Sequence, residues 1–422
     1  MKYALIPLLL SLMLSPSPLR AAENCTIGSA RKSEQSPGPW IDQNNWLDPE
    51  NLRFSLSAAG RFMPLVTIKS RIAPQNFKSA PKQLDLEKMM AIDPLDRETR
   101  DVGFLLDTRL YADGFIVLRN GRLLSEQYWH GISPKQPRLL LGATRPILSL
   151  LGAMAVAQGK FAPDKSVIRY IPSLTEQTGL RKLSIQRLID ANSRFEWTAQ
   201  EINEWQMAGG WKPGIAVSGI RAWLNHPGRW ERGMTDAAPS LLDTGPDGDL
   251  LTWALSESYR EPLAQIFCDN ILAKLRPENP AFWLTDPQGT ELTGGLALSL
   301  RDFARFGQML LEARVSGNRS RIPSWFIETL TTSNGPRKTN SPELFGLSKG
   351  SEARYGFVHL GGTPNRVALL GPYGNSLYID FDRRLVIALF AAYPKSNSPA
   401  MLATLEQIWD QVGPATQPDN KR

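Results

Sequence analysis

Strand-like alternation is first clear between Gly114 and Gly131, where "GFIVLRNGRLLSEQYWHG" gives two apolar-polar runs around Asn120-Gly121. A period of two marks strands, and Asn-Gly between such runs suits the positive backbone angles of a tight hairpin. The period then changes. From Ala143 to Gly159 the pattern is helical, and Gly159 in "QGK" supplies a C-terminal cap. Helical spacing dominates from Leu183 to about Lys274, including "LTWALSESYREPLAQIFCDNILAKL", and again in "SLRDFARFGQMLLEARVSG" behind a Ser299 cap. Strand patterns return in "YGFVHLG", "RVALLG" and "NSLYIDFDRRLVIALFAAYP", and "AMLATLEQIWDQV" closes the chain as a helix. Strands at both ends with helices between predict an α/β (α+β) unit. Its antiparallel sheet pairs the first hairpin with the last strands, beside a mainly helical lobe.

These patterns set the expected boundaries. Residues 1–22 read as a signal peptide, with Lys2, an apolar run from Tyr3 to Leu14 and a small-residue exit at Ala21-Ala22. Residues 23–105 read as a loosely wrapped arm and an irregular connector, the latter from the turn-rich "RIAPQNFKSAPKQLD". Residues 106–415 form the main domain, with a sheet lobe from 106–140 and 350–415 and a helical lobe over 141–349. A tail follows at 416–422. The expectation is an exported protein with no stable membrane span once the leader is removed.

Composition narrows the functional classes. Loss of Lys2 and Arg20 with the leader lowers the formal charge from +7 to +5, too small and too interleaved a surplus for nucleic acid binding. It is compatible with anionic polymers of a cell envelope. Cys25 and Cys268 are the two cysteines, and an oxidising compartment lets them form one disulfide tying the N-terminal segment to the body. His130, His226 and His359 stand far apart, without metal-ligand spacing. No metal or cofactor is expected.

The order of elements resembles the serine β-lactamase and penicillin-binding-protein superfamily, in particular the esterase and amidase branch with 6-aminohexanoate-dimer hydrolases and class C β-lactamases. The resemblance rests on "DGFIVLRNGRLLSEQYWHGISPKQPRLL", "GKFAPDKSVIRYIPSL", "TGGLALSLRDFARFGQMLL" and "GPYGNSLYIDF", in family order from about Asn51 to Val412. It implies a serine at the start of the first long helix, a lysine three residues on that takes its proton, and a tyrosine from the helical lobe. Family spacing counts back fourteen residues from Gly159 to put the lysine position on Arg145 and the serine position on Gly142. "DTGPDGDLLTW" is similar to the tyrosine-bearing segment, with Asp243 at the tyrosine position and Asp247 at an asparagine position.

None of these three positions keeps its chemistry. Glycine has no oxygen with which to attack, and an arginine side chain (pKa above about 12) stays protonated. Loss of a serine nucleophile alone costs on the order of a millionfold in turnover. The expectation is therefore a pseudoenzyme that binds a peptide-like or anionic envelope ligand, or a partner. The alternative is an active hydrolase in which Asp243 and Asp247 activate a water near Arg145. Ser29-Ala30-Arg31-Lys32 and Ser79-Ala80-Pro81-Lys82 match Ser-x-x-Lys only by letter, since no apolar helix lies behind either. Thr144 and Ser149 lack a base at the right spacing.

Two roles are open for Arg145: an ion pair with Asp243 or Asp247, or an anion site made with Gly142 and the helix start. Gly371, Gly374 and Asn375 edge the pocket in the family, where they form either a ligand groove or a tight turn and bulge. Trp197, Trp205, Trp211, Trp223 and Trp230 either line a cleft or pack the helical lobe.

Overall fold

The computed structural model describes residues 24–33, 40–214, 218–232, 234, 245–317, 322–332, 338–339, 344–363 and 365–416. The leader, Asp243 and the last six residues lie outside them. The hairpin Ala112–Arg119 and Arg122–Tyr128 joins the C-terminal strands Arg366–Leu370, Ser376–Asp380 and Leu385–Ala391 in a sheet of nine described strands. The join is antiparallel, with Ile116 opposite Ala388 and Leu118 opposite Val386.

Both faces of this sheet are buried, which is why its central strands carry nearly unbroken apolar runs. Ile116, Leu118, Leu377, Ile379 and Val386 share one core with Phe303 and Phe306 of helix Leu300–Ser316. Phe115, Val117, Tyr378, Ile387 and Leu389 share the other with Leu405, Ile408 and Trp409 of helix Pro399–Ala415. Alternate residues thus serve opposite cores. The Ser299 hydroxyl caps helix Leu300–Ser316, accepting from the Asp302 N–H at 3.2 Å.

The arm is more ordered than its composition suggests. Cys25–Ile27 pairs with Leu65–Ser70, which pairs with Ala281–Thr285. Glu291–Leu298 and Arg138–Leu139 complete a second, five-stranded antiparallel sheet. The segment read as a loosely wrapped arm thus contributes two strands of this sheet, and the mainly helical lobe over 141–349 contributes two more. Except for the hairpin Ala281–Thr285 with Glu291–Leu298, these strands pair with partners distant in sequence, which periodicity within a window does not reveal. Trp46, Phe62 and Met63 of the arm are buried in the main core, and Trp46 stacks on Trp211. Cys25 and Cys268 form a disulfide that closes a separation of 243 residues. Among the described residues no helix is long and apolar enough to cross a membrane.

Candidate functional site

The stretch at Gly142 folds as a 3-10 turn, Leu141–Thr144, running straight into helix Arg145–Ala157. Pro146 sits at the second helical position, where its missing N–H leaves no intrahelical bond unmade. Gly142, Thr144, Arg145 and Pro146 are all buried. The turn Tyr355-Gly356 crosses above them. Gly356 has φ +75°, and a Cβ there would stand 3.1 Å from the Pro146 nitrogen, so the crossing depends on glycine.

Arg145 makes hydrogen bonds to the fold itself. Its Nη1 donates to Ser149 Oγ at 2.9 Å, and its Nη2 donates to the Leu188 carbonyl. Ser149 Oγ in turn donates to the Ile189 carbonyl at 2.6 Å. Arg145 and Ser149 together cap the C-terminal end of helix Ile185–Ile189, where carbonyls lack intrahelical donors and positive charge is favoured. Asp247, half-buried in the first turn of helix Gly245–Tyr259, and Asp190 act on Arg145 through space. Burial pulls the guanidinium below its ordinary value, and these two carboxylates oppose the shift. Among the described residues Arg145 acts on Asp247 through space and not by a direct pair. Asp243 lies outside the described residues.

Close packing explains the direction taken. A Cβ on Gly152 would stand 2.7 Å from Ile189 Cγ1, so the central helix lies tight against Ile185–Ile189. A long side chain about two turns earlier, at Arg145, reaches the carbonyls at that helix's end.

The pocket-edge residues are held by the fold itself. Asn375 is fully buried; its Nδ2 donates to the Leu139 carbonyl at 3.1 Å and its Oδ1 accepts from the Ala391 N–H at 3.2 Å. The Gly371 N–H donates to the Asn375 carbonyl at 2.8 Å. A Cβ on Gly371 would stand 2.8 Å from the Leu140 carbonyl oxygen, so this strand end presses on the 3-10 turn. Gly374 has φ +93° and closes a tight turn beside Ala391.

The decoy motifs are superficial: Ser29, Lys32, Ser79 and Lys82 are all exposed. The Thr144 hydroxyl is buried without a hydrogen-bond partner, and the Ser149 hydroxyl is committed to Ile189. A guanidinium beside Ser149 cannot accept its proton. The tryptophans pack: Trp197, Trp223 and Trp230 contact one another or Phe195, and Trp205 donates to Asp249.

Asp249, Asp190 and Tyr355 are the neighbours that sequence reasoning missed. Asp249 is buried and accepts from Trp205 Nε1 and the Thr293 N–H, each at 2.7 Å. Burial pushes its carboxyl up to about 7, and Asp286 and Asp247 add to the shift. An acid inside the apolar run "GDLLTWAL" was the available signal. Burial likewise raises the Tyr355 phenol, with Asp190 adding to it.

The Beta-lactamase family profile matches residues 105–407. The chain belongs to the Beta-lactamase family. A 6-aminohexanoate-dimer hydrolase of Paenarthrobacter ureafaciens is 21% identical over 380 residues, covering 85% of this chain and 90% of that protein. A Bacillus anthracis structure assigned as a 6-aminohexanoate-dimer hydrolase superposes with a TM-score of 0.73 at 20% identity, over 90% of this chain and 98% of its own. An octameric penicillin-binding protein homologue from Pyrococcus abyssi gives a TM-score of 0.56 at 14% identity, over 76% of this chain and 77% of that one. These likenesses establish a β-lactamase-like serine hydrolase fold.

Proposed function

We propose that this member of the family is a pseudoenzyme, exported, that works by binding a peptide-like or anionic envelope ligand or a partner. The observation that carries the reading is the state of Arg145. The residue at the family's proton-acceptor position is a permanent cation, and its N–H groups cap helix Ile185–Ile189. A lysine in the same turn shuttles protons only if its amine can be neutral and face the nucleophile; Arg145 meets neither condition. Gly142 supplies no hydroxyl to activate. Export is supported by the leader pattern over residues 1–22 and by the buried Cys25–Cys268 disulfide, a bond that persists in oxidising compartments.

The test is covalent labelling of the full mature protein with a serine-directed fluorophosphonate and with a fluorescent penicillin. No stoichiometric adduct is expected with either. An adduct mapped by mass spectrometry to the helix start would overturn the reading. Turnover of short p-nitrophenyl esters that vanishes in Asp247→Ala would favour the carboxylate-activated alternative instead. For export, fractionation of cells making a C-terminally tagged chain should recover a cleaved form outside the cytoplasm, whereas an uncleaved cytoplasmic form would sink that part.

A further inference from the structure

Two neighbouring turns close one end of the nine-stranded sheet and carry arginines at four positions. Asn120-Gly121 joins strands Ala112–Arg119 and Arg122–Tyr128, and residues 381–384 join Ser376–Asp380 to Leu385–Ala391. Arg119 stands directly opposite Arg122, with Leu385 on its other side. The Asn120 N–H donates to the Arg384 carbonyl at 3.0 Å, which ties the two turns together. The family pocket lies elsewhere. Ser376, beside the pocket edge, is about 13 Å from Asp380 at the rise of a strand.

Like charges meet at these turns without an equal number of acids. Cross-strand partners hold their Cβ atoms about 5 Å apart, and like charges at that distance repel. Burial pulls the Arg119 guanidinium below its ordinary value, and the neighbouring Arg383 pulls it further. The nearby carboxylates are committed. Asp380 pairs with Arg383 at 2.7 Å, Asp382 accepts from the Asn365 amide at 2.9 Å, and Asp410 pairs with Arg366 at 2.6 Å. Among the described residues Arg119, Arg122 and Arg384 form no ion pair. The buried Nε–H groups of Arg119 and Arg383 have no hydrogen-bond partner among them either. An N–H group in that state is costly until an acceptor reaches it.

We propose that these two turns bind a phosphate monoester, borne by the anionic envelope ligand of the proposed function, on whose reading this inference rests. Arg119, Arg122, Arg383 and Arg384 against Asp380 and Asp382 leave two positive charges in excess, and a phosphate monoester carries about −2 near neutral pH. Its three terminal oxygens accept from several guanidiniums at once, where a carboxylate has two. Arg122 and Arg384 are exposed and free to meet the anion, while Arg119 and Arg383 are half-buried and held by the fold. None of these residues belongs to the helix start at Gly142.

Calorimetric titration of the mature protein with glucose 6-phosphate tests it. Saturable binding with a Kd on the order of 0.1–1 mM at low salt is expected, weakening as salt is added. Glucose should give no heat. Arg119→Gln and Arg122→Gln should each weaken binding about tenfold, the loss of one charged contact, with thermal melts to show that they are folded. Lys135→Gln, beyond the other end of strand Arg122–Tyr128, changes the net charge equally and should leave binding as it is. Flotation with phosphatidylcholine vesicles then separates two sources of the ester. Capture that needs added phosphatidic acid marks a lipid headgroup, and no capture marks a soluble phosphorylated molecule. Binding unchanged in both arginine variants, equal weakening by Lys135→Gln, or no heat up to about 10 mM free ester would overturn the proposal. Fluorophosphonate labelling reads the helix start alone, so absence of both adduct and phosphate binding sinks this site and spares the pseudoenzyme reading.

Discussion

Arg145 sits in a position that is costly to vacate. Its guanidinium satisfies the Leu188 carbonyl and orients Ser149 onto Ile189, all within a buried contact. Arg145→Ala removes one donor to the Leu188 carbonyl, which keeps the Ala191 N–H at 3.1 Å, and opens a buried void, so it should lower unfolding free energy by about 2–4 kcal/mol in urea titrations, mostly through the void. A separate expectation concerns restoring the family residues. Gly142→Ser combined with Arg145→Lys returns an oxygen and an amine, yet the tyrosine position still holds Asp243, and the cap on Ile185–Ile189 is lost. The double variant should give no more fluorophosphonate adduct than the parent. Strong labelling would mean that two residues alone separate this chain from an acylating one.

Among elements, the decisive contact joins three segments through one amide. Asn375 ties Leu139, in the strand before the 3-10 turn, to Ala391 at the end of strand Leu385–Ala391. Asn375→Ala leaves a buried carbonyl and a buried N–H unpaired, and should cost about 1–3 kcal/mol by the same denaturant measurement. Asn375→Asp should not rescue it, since a carboxylate accepts from Ala391 but cannot donate to Leu139. The helix start was legible in the sequence because Gly159, the helical period and Pro146 fix its place. The side-chain direction of Arg145 was not legible. It depends on helix Ile185–Ile189 lying against Gly152, a contact between residues far apart in the chain.

For the whole molecule, two features set stability against conditions. The Asp249 carboxyl titrates at about 7 in the folded chain against an ordinary 3.8, so the folded state keeps a proton that the unfolded chain gives up first. That contribution is full below about pH 4 and is lost as pH rises through 7. The melting temperature should therefore fall between about pH 5 and pH 8, and Asp249→Asn should flatten that slope in melts across the range. A slope unchanged in the variant would place the titrating group elsewhere. The disulfide joins residues 243 positions apart and ties the second sheet's edge strand to the helical lobe. In the chain-entropy description its reduction should cost about 5–6 kcal/mol, read as a drop in melting temperature under reducing conditions.

The sequence by itself determined the fold class. Strand alternation, helical period and a run of family-like segments fix the order of elements, and Gly142 and Arg145 cannot attack or accept a proton in any arrangement. Tertiary structure decided what those residues do instead. The carbonyls that Arg145 caps, the amide clamp of Asn375, the burial that raises Asp249 and the arm strands in the second sheet all arise from long-range contacts. Local periodicity records which face of an element is apolar; it carries no information about which distant donor or acceptor that face will meet.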